Sequence, residues 1–218
     1  MRPFVHVNCA MSVDGKIALA NRMQTRISGE ADMARVHRLR DGCDAILVGV
    51  GTVLTDDPKL TVKKKYVETA RQPLRVVLDT RLRTPSDAAV MSDAAPTLIA
   101  TGGPSFTRGT SEAVACGNGR VALPAVLSLL HERGVERLLV EGGGTVIYAF
   151  LKERLVDVMT VYVAPMVIGG AGTPTVADGD GASTPGDVVG LAFADAERLG
   201  DGLLLTLHPS VAEDLHEE

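Results

Sequence analysis

The chain has 218 residues, 45% of them hydrophobic and 22% charged, which is enough apolar sequence to bury the core of one domain spanning residues 1–218. Its net charge of −5 and its short basic clusters, Lys63–Lys65 and the pair Arg71 and Arg75, argue against a nucleic-acid partner but leave room for a small anionic ligand. Three scattered cysteines without a C-x-x-C motif, and the lack of an 18-residue apolar stretch, predict a cytoplasmic protein without a disulfide framework, metal site or membrane span.

The first predicted strand runs from Phe4 to Met11. The turn signal Asp14-Gly15 follows, and after it Ile17 to Ala20 is predicted to be extended again. Ser12, Asp14 and Lys16 around this turn suit a ligand-binding loop and an ordinary polar hairpin equally well.

A helix is predicted from about Gly29 to Arg40, because Ser28 is a suitable N-cap and acidic residues occupy the first turn. The apolar positions predicted to face inward are Ala31 or Met33, Val36 and Leu39. The basic side chains are predicted on a solvated face, with one of them free to turn toward a phosphate: Arg35, His37, Arg38 and Arg40.

The apolar run Ala45 to Val50 predicts a strand that is buried on both faces in the middle of a sheet. Gly49 and Gly51 then let a ligand approach the backbone. A hydroxyl and two carboxylates follow before Pro58, from Thr52, Asp56 and Asp57. Because ligands bind at the carboxyl ends of strands in open α/β sheets, this stretch suits a binding site, although an ordinary polar turn would look the same.

The third predicted strand, Leu74 to Asp79, ends in a similar way, with an acid, a hydroxyl and two arginines. This pattern resembles the edge of a cofactor site. Arg81 or Arg83 could hold the 2′-phosphate of NADP, and both are equally compatible with a role as surface cations.

Further predicted strands are Thr97 to Ala100, Val114 to Cys116 and Arg137 to Val140, with a loop from Thr101 to Ser111. A helix from Pro124 to Arg133 precedes the last of them. This alternation of strands and helices indicates an α/β fold with mostly parallel neighbours.

The strand that ends at Val140 leads into Glu141-Gly142-Gly143-Gly144-Thr145, and the run Val146 to Leu151 then opens a helix. Glycines at a helix amino terminus expose N–H groups to an anion, so this turn is a predicted diphosphate site. It lacks the third glycine of the dinucleotide fingerprint and the lysine of a P-loop. A plain tight turn is the alternative.

The last part of the chain predicts antiparallel strands that complete a mixed sheet. Val158 to Pro165 is an extended run. Leu191 to Leu199 and Leu203 to Leu207 are predicted to pair as a hairpin across Gly200-Asp201-Gly202. Residues 213–218 form an acidic end that is predicted to fray.

Five blocks in this order closely resemble the riboflavin-pathway reductases: Met11–Lys16, Val48–Val62, Val76–Thr80, Glu141–Thr145 and Leu155–Asp157. The resemblance is closest to the stand-alone archaeal type. It implies a dihydrofolate-reductase-like α/β fold, with a mixed, mostly parallel central sheet flanked by helices, an antiparallel C-terminal hairpin and a homodimeric assembly. The zinc deaminase fused to bacterial relatives is not predicted, because an H-x-E motif with a downstream P-C-x-x-C is missing.

The resemblance also implies an activity. This is the NADPH-dependent reduction of the ribosylamino side chain of 2,5-diamino-6-ribosylamino-4(3H)-pyrimidinone 5′-phosphate to its ribitylamino form, with hydride delivered to C1′. The alternatives are the deaminated 5-amino-6-(5-phosphoribosylamino)uracil as substrate, NADH as cofactor, reduction of dihydrofolate, and a non-catalytic nucleotide-binding protein.

By the same resemblance, Asp56 and Glu141 are the catalytic residues, and Asp56 either relays a proton or only fixes the ribose. The cofactor-binding residues implied are Gly49, Thr52, Asp56, Asp79, Thr80, Arg81, Val121, Gly142, Gly143, Gly144 and Thr145. The substrate-binding residues implied are Asn8, Lys16, Arg40, Leu60, Lys63 and Glu141. Relatives often have serine where Thr80 stands, and the segment Gln24–Ser28 lacks the aromatic residue of the bacterial proteins.

Overall fold

The computed structural model describes residues 1–23 and 25–210, apart from the side chain of Arg108. These residues divide into two compact units, the first made of Met1–Phe4 and Ala34–Glu141 and the second of Val5–Met33 and the chain from Gly142 onward. The prediction of a single domain over residues 1–218 stays a prediction. Gln24 and the predicted frayed end 213–218 lie outside the described residues.

Ten strands and four α-helices are assigned in the described part of the chain. The strands are β1 (Phe4–Ser12), β2 (Ala45–Gly49), β3 (Leu74–Leu78), β4 (Thr97–Thr101), β5 (Phe106–Arg108), β6 (Ser111–Ala115), β7 (Arg137–Gly142), β8 (Val158–Ala164), β9 (Leu191–Leu199) and β10 (Gly202–Pro209). The helices are α1 (Glu30–Asp41), α2 (Val50–Asp56), α3 (Leu123–Glu132) and α4 (Gly144–Lys152). No helix in this part of the chain combines the length and the apolar character that a membrane span requires.

In the first unit the strands follow the order β5-β6-β4-β3-β2-β7. The pairs β2–β3, β3–β4 and β4–β6 are parallel, and β5 is antiparallel to β6. All five residues of β2 are buried, which confirms the predicted mid-sheet strand. Its uninterrupted apolar sequence suits a strand that is covered on both faces.

Arg75 in β3 is a fully buried cation in the first unit, with no exposed surface. Its guanidinium donates hydrogen bonds to the carbonyl oxygens of Ala89, Ser92 and Ala95, 3.2 and 2.5 Å away for the first two. Burial lowers the pKa of Arg75. The suggestion that Arg75 serves a small anionic ligand is therefore wrong, because its N–H groups hold the segment that carries these three carbonyls.

In the second unit the strands follow the order β1-β8-β10-β9. β1 and β8 are parallel, and β10 pairs antiparallel with both β8 and β9. The hairpin turn uses Gly200 at φ +63°, a conformation that suits glycine. The predicted C-terminal hairpin and the mixed, mostly parallel strand pairing are both confirmed.

Two local predictions are wrong. Ile17 to Ala20, predicted to be extended, forms no strand, and in this region Lys16 makes an isolated bridge with Thr175. The predicted loop Thr101 to Ser111 contains the short strand β5. Three residues are too few for a period-2 pattern to emerge from the sequence.

Candidate active site

The junction of β2 and α2 brings together two of the predicted site residues. α2 begins directly after Gly49, so the polar stretch that the sequence reading treats as a turn is a seven-residue helix. Val50 and Val53 are buried and anchor this helix in the core. Thr52 and Asp56 are four positions apart, so they lie on the same side of α2, and both are half-buried.

Asp57, the residue after Asp56, has a structural role. Asp57 ends α2 in the left-handed conformation, at φ +41°. Its Oδ1 accepts a hydrogen bond from the N–H of Ala89 at 2.6 Å. The two carboxylates of this stretch therefore differ, because Asp57 tethers a neighbouring segment whereas Asp56 shares a helix side with Thr52.

Arg40 of α1 and Glu141 of β7 form a two-pronged ion pair inside the first unit. Nε of Arg40 donates to Oε1 of Glu141 at 2.8 Å, and Nη2 donates to Oε2 at 2.6 Å. The side chains are 18% and 9% exposed. Burial disfavours the charge of Arg40, but the Glu141 carboxylate more than offsets this, so the pKa of Arg40 lies above its usual value.

This ion pair brings together two predicted site residues, Arg40 and Glu141, and shows that one prediction about Arg40 is wrong. Arg40 is not on a solvated face but mostly buried against Glu141. Nη1 of Arg40 also donates to the carbonyl of Thr61 at 3.1 Å. Three of the five guanidinium N–H groups thus have protein partners in the described part of the chain, which leaves two for a ligand.

The other predicted substrate residues of the first unit are placed differently from each other. Leu60 is 3% exposed, packs in the apolar core and adopts φ +49°. Lys63 is exposed, and its backbone N–H donates to Nδ1 of His37 at 3.3 Å. Lys63 is thus at the surface, whereas Leu60 is part of the apolar core.

The end of β3 forms a buried polar turn around Asp79. Oδ2 of Asp79 accepts hydrogen bonds from the N–H and the Oγ1 of Thr84, at 2.7 and 2.8 Å. Oδ1 is buried and has no hydrogen-bond partner among the described residues. The Oγ1 of Thr80 accepts a hydrogen bond from the N–H of Val121 at 3.4 Å, which brings these two predicted cofactor residues together. Arg81, also predicted to bind the cofactor, is exposed.

The junction of β7 and α4 has a backbone that only glycine adopts readily. Gly142 lies at φ +129° and Gly143 at φ +20°, and Gly144 is the first residue of α4. The first N–H groups of such a helix have no acceptor within it, and Thr145 is exposed beside them. This geometry suits the predicted anion site.

Asp178 is a residue near this junction that the sequence reading missed. A Cβ placed on Gly144 would lie 2.9 Å from Oδ2 of Asp178, so this carboxylate lies next to the start of α4. Oδ1 of Asp178 also accepts a hydrogen bond from Oγ1 of Thr175 at 2.6 Å. A carboxylate at a helix amino terminus is itself stabilised by the helix dipole. The sequence gave no signal for Asp178, because its local pattern does not differ from that of the other acids in this Gly/Asp-rich loop.

In the turn after β1, two of the three polar residues, Ser12 and Asp14, have a structural role. Asp14 accepts hydrogen bonds from Oγ of Ser12 at 2.6 Å and from the N–H groups of Ile168 and Gly169 at 3.1 and 2.7 Å. The bond from Ser12 and those from the two backbone N–H groups lower the pKa of Asp14 to about 2. Lys16, predicted to bind substrate, is half-buried in the same turn.

Asn8 lies in the middle of β1, in a polar row that crosses to β8. Its Oδ1 accepts a hydrogen bond from Oγ1 of Thr160 at 2.9 Å, and this hydroxyl lies 2.9 Å from Nε2 of His6. Asn8 and Thr160 are both buried. The side-chain oxygen of Asn8 thus accepts a hydrogen bond within the second unit.

His37 is a further residue that the sequence reading placed wrongly. The sequence predicts it on a solvated face with the arginines, but its ring is fully buried and stacks on Tyr66, with 4.7 Å between centroids and 13° between planes. Burial, reinforced by the nearby charges of Arg40 and Lys63, lowers the pKa of His37 to about 4. The inward face of α1 includes position 37, because Met33, Val36, His37 and Arg40 follow the i, i+3, i+4, i+7 spacing, but a polar side chain at this position gave no apolar signal.

Comparison with known proteins gives the chain its family. A sequence model of the RibD C-terminal domain matches residues 3–205. The chain belongs to the RibD C-terminal domain family. The predicted resemblance to riboflavin-pathway reductases is thereby confirmed.

Two archaeal members of the family are similar to this chain over nearly their whole length. Both are named 2,5-diamino-6-ribosylamino-4(3H)-pyrimidinone 5′-phosphate reductase. The protein of Methanothermobacter thermautotrophicus is 43% identical over 94% of this chain and 97% of its own length. That of Archaeoglobus fulgidus is 43% identical over 94% of this chain and 98% of its own length.

Solved structures of RibD proteins share the fold. The deaminase/5-amino-6-(5-phosphoribosylamino)uracil reductase of Thermotoga maritima superposes with a TM-score of 0.80 at 27% identity, over 96% of this chain and 57% of the other. RibD of Acinetobacter baumannii gives 0.81 at 26% identity, over 96% and 58%. This chain thus spans somewhat more than half of these longer proteins, and the predicted dihydrofolate-reductase-like fold is confirmed.

Proposed function

We propose that this member of the RibD C-terminal domain family reduces the ribosylamino side chain of 2,5-diamino-6-ribosylamino-4(3H)-pyrimidinone 5′-phosphate to the ribitylamino form in riboflavin biosynthesis. The observation that carries the proposal is the 43% identity, over 94% of the chain, with two proteins named for this reductase. The same relatives support an oxidoreductase over a non-catalytic nucleotide-binding protein.

A nicotinamide cofactor fits the residues that the family resemblance assigns to it. The buried Oδ1 of Asp79 lacks a protein partner in the described structure and can accept a hydrogen bond from a ligand. Gly142 and Gly143 lead into the amino terminus of α4, whose first N–H groups suit a diphosphate, with Thr145 in the first turn. When bound, the reduced cofactor supplies the hydride. Further cofactor contacts are proposed from Gly49, Thr52, Thr80, Val121 and Gly144.

On the substrate side, Arg40 and Lys63 are the cations of the proposal. The Arg40 guanidinium is held in one orientation by Glu141 and keeps two N–H donors for a phosphate or a sugar hydroxyl. Lys63 presents an exposed ammonium group suited to the 5′-phosphate. Asn8, Lys16 and Leu60 remain proposed substrate contacts on the resemblance alone.

Reduction at C1′ needs a proton as well as a hydride, because the bond from C1′ to the ring oxygen breaks and the oxygen or the imine nitrogen must be protonated. Asp56 is proposed to hold or relay this proton from the side of α2 that it shares with Thr52. Glu141 is a weaker choice for proton transfer, since both of its oxygens accept hydrogen bonds from Arg40. Its proposed role is to orient Arg40.

We further propose that the cofactor is NADPH, because Arg81 and Arg83 are exposed just beyond the end of β3. A charge-assisted contact to the 2′-phosphate contributes about 1.5–3 kcal/mol, which corresponds to roughly tenfold or more in affinity. The Arg81→Ala and Arg83→Ala variants, assayed with both cofactors, should show that one of them loses the preference for NADPH. Equal turnover of NADH and NADPH by the unmodified protein, each cofactor at low concentration, would contradict the proposal.

A homodimer and a cytoplasmic location are also proposed, on the family resemblance and on the composition. The composition argument is that the three cysteines, Cys9, Cys43 and Cys116, lie far apart in the sequence, which suits a reducing compartment. Light scattering at micromolar concentration should give twice the 22.9 kDa mass of one chain, and a monomer mass would contradict the dimer.

The decisive experiment measures NADPH oxidation with the diaminopyrimidinone phosphate, with its deaminated uracil counterpart and with dihydrofolate in parallel. We expect turnover of the first compound, with the ribitylamino product identified by mass spectrometry. Faster turnover of the uracil would move the substrate to the deaminated compound. Turnover of dihydrofolate alone, or cofactor binding without turnover of any of the three, would reject the proposed function.

A further inference from the structure

The segment Thr61-Val62-Lys63 is held by side chains rather than by a strand partner. It lies outside the assigned strands and helices. Arg40 donates to the carbonyl of Thr61 at 3.1 Å. Gln72 takes both backbone groups of Val62, its Oε1 accepting from the N–H at 2.8 Å and its Nε2 donating to the carbonyl at 3.0 Å. These contacts fix the backbone that carries Lys63.

His37 completes this arrangement at Lys63 itself. Its Nδ1 accepts a hydrogen bond from the N–H of Lys63 at 3.3 Å. Its ring stacks on Tyr66, whose own N–H donates to the carbonyl of Lys63 at 2.9 Å. The backbone N–H of Lys63 is therefore bonded to the ring of His37, and its carbonyl is bonded to the backbone of Tyr66, whose ring stacks on that of His37.

The hydrogen bond from Lys63 determines the state of the imidazole. An Nδ1 that accepts a hydrogen bond carries no proton, so the proton of the neutral ring is on Nε2. Nε2 is buried without a hydrogen-bond partner in the described part of the chain. Burial disfavours a second proton on the ring, and so do the nearby charges of Arg40 and Lys63, whereas the charge of Glu141 favours it. A buried ring with one unsatisfied N–H is a costly choice for mere space filling.

We propose that His37 is a positioning residue, which acts through Lys63 by holding the Lys63 backbone in register with the Arg40–Glu141 pair. The proposal rests on the proposed function in one respect, namely that Lys63 contacts the phosphate of the substrate. His37 and Arg40 are three positions apart on α1, so the two side chains that hold this segment lie on the same side of the helix.

The test is a double-mutant cycle between His37→Phe and Lys63→Ala. Phenylalanine keeps an aromatic ring against Tyr66 and removes the acceptor. We expect His37→Phe to raise KM for the phosphorylated substrate roughly five- to tenfold, the size of one lost hydrogen bond, with kcat and NADPH affinity nearly unchanged. In the Lys63→Ala background the same change should have little further effect on KM. Unchanged KM in folded His37→Phe protein, or additive effects on KM, would overturn the proposal.

A matched rescue and a readout without substrate separate this idea from the proposed function. His37→Asn restores a neutral acceptor and should recover most of the wild-type KM. Hydrogen exchange at the Lys63 amide should accelerate in His37→Phe and remain slow in His37→Asn. If the wild-type protein turned over no substrate, the proposed function would fail while the exchange data still judged the positioning. Equal exchange at Lys63 in all three proteins would overturn it.

Discussion

Two strand-to-helix junctions in this chain look alike in sequence but differ in backbone geometry. At the first, β2 passes into α2 through Gly49, at φ −81° and ψ 154°, a conformation open to any residue. At the second, β7 passes into α4 through Gly142 at φ +129° and Gly143 at φ +20°, where side chains are disfavoured. Glycine gives space at the first junction, whereas at the second the backbone path itself requires it.

The groups that each junction offers differ accordingly. The first presents side chains, with Thr52 and Asp56 on one side of α2. The second presents backbone N–H groups at the start of α4, with the carboxylate of Glu141 one residue before Gly142. A carboxyl group suits proton transfer and a helix amino terminus suits an anion. We therefore expect a change of the Asp56 carboxyl group at the first junction to lower kcat, and changes of the glycines at the second to weaken cofactor binding.

The largest effect on stability is expected for the buried ion pair of Arg40 with Glu141, the residue just before the second junction. Arg40→Met would leave the Glu141 carboxylate mostly buried without its cation, and the loss should be about 3–5 kcal/mol in the free energy of unfolding. The control is Arg71→Met, which breaks the pair of Arg71 with Asp44, where Arg71 is 77% exposed. That change should cost less than about 1 kcal/mol. Similar losses in urea denaturation of both variants would contradict a special role for the buried pair.

At the first junction, Asp56→Asn should lower kcat by ~10²-fold or more if Asp56 transfers the proton. The pH profile of kcat should change, and the dissociation constant of NADPH should stay the same. If Asp56 only fixes the ribose, KM for the phosphorylated substrate should rise instead. Asp57→Asn is the matched control, since Asp57 tethers Ala89, and its kcat should be near that of the wild type. Wild-type kcat and KM in Asp56→Asn would exclude both roles.

Elements that leave a local signature in the sequence could be predicted from it. The unbroken apolar run of β2 and the hairpin around Gly200 gave correct elements, because burial on two faces and a glycine turn each leave a local signature. The seven-residue helix α2 was missed, since it is too short for helical periodicity and follows the strand without a loop.

The site was predictable as a set of residues but not as a set of contacts. Family resemblance singled out Arg40 and Glu141, which are 101 positions apart, but their pairing depends on how α1 and β7 pack. The burial of His37 likewise depends on Tyr66, far along the chain. Long-range side-chain contacts of this kind have no signature in a single sequence.

At the second junction, Gly143→Val should weaken NADPH binding roughly tenfold or more, because the side chain would obstruct the proposed diphosphate site. The strained backbone at φ +20° should separately lower the free energy of unfolding by about 1–3 kcal/mol. Gly134→Val is the control, since Gly134 has φ +78°, and a Cβ there meets no atom within 4 Å. It should reduce stability without a change in NADPH affinity. Unchanged titration of NADPH into folded Gly143→Val protein would place the diphosphate elsewhere.

The smallest expected effect concerns the segment after the first junction, which His37 holds through Lys63. The pKa of His37 falls from about 6.5 to about 4 on folding, through burial and the charges of Arg40 and Lys63. Below pH 6.5 the unfolded chain therefore binds a proton at His37 that the folded chain does not bind. The contribution of His37 to the free energy of unfolding, present in full above pH 6.5, declines as the pH falls toward 4. Between pH 7 and pH 6 the free energy of unfolding should drop by about 0.7 kcal/mol through this group. His37→Asn cannot titrate, so the difference between wild type and variant in urea denaturation should shrink by this amount at pH 6. A difference that stayed constant with pH would show that His37 titrates alike in the folded and unfolded chain.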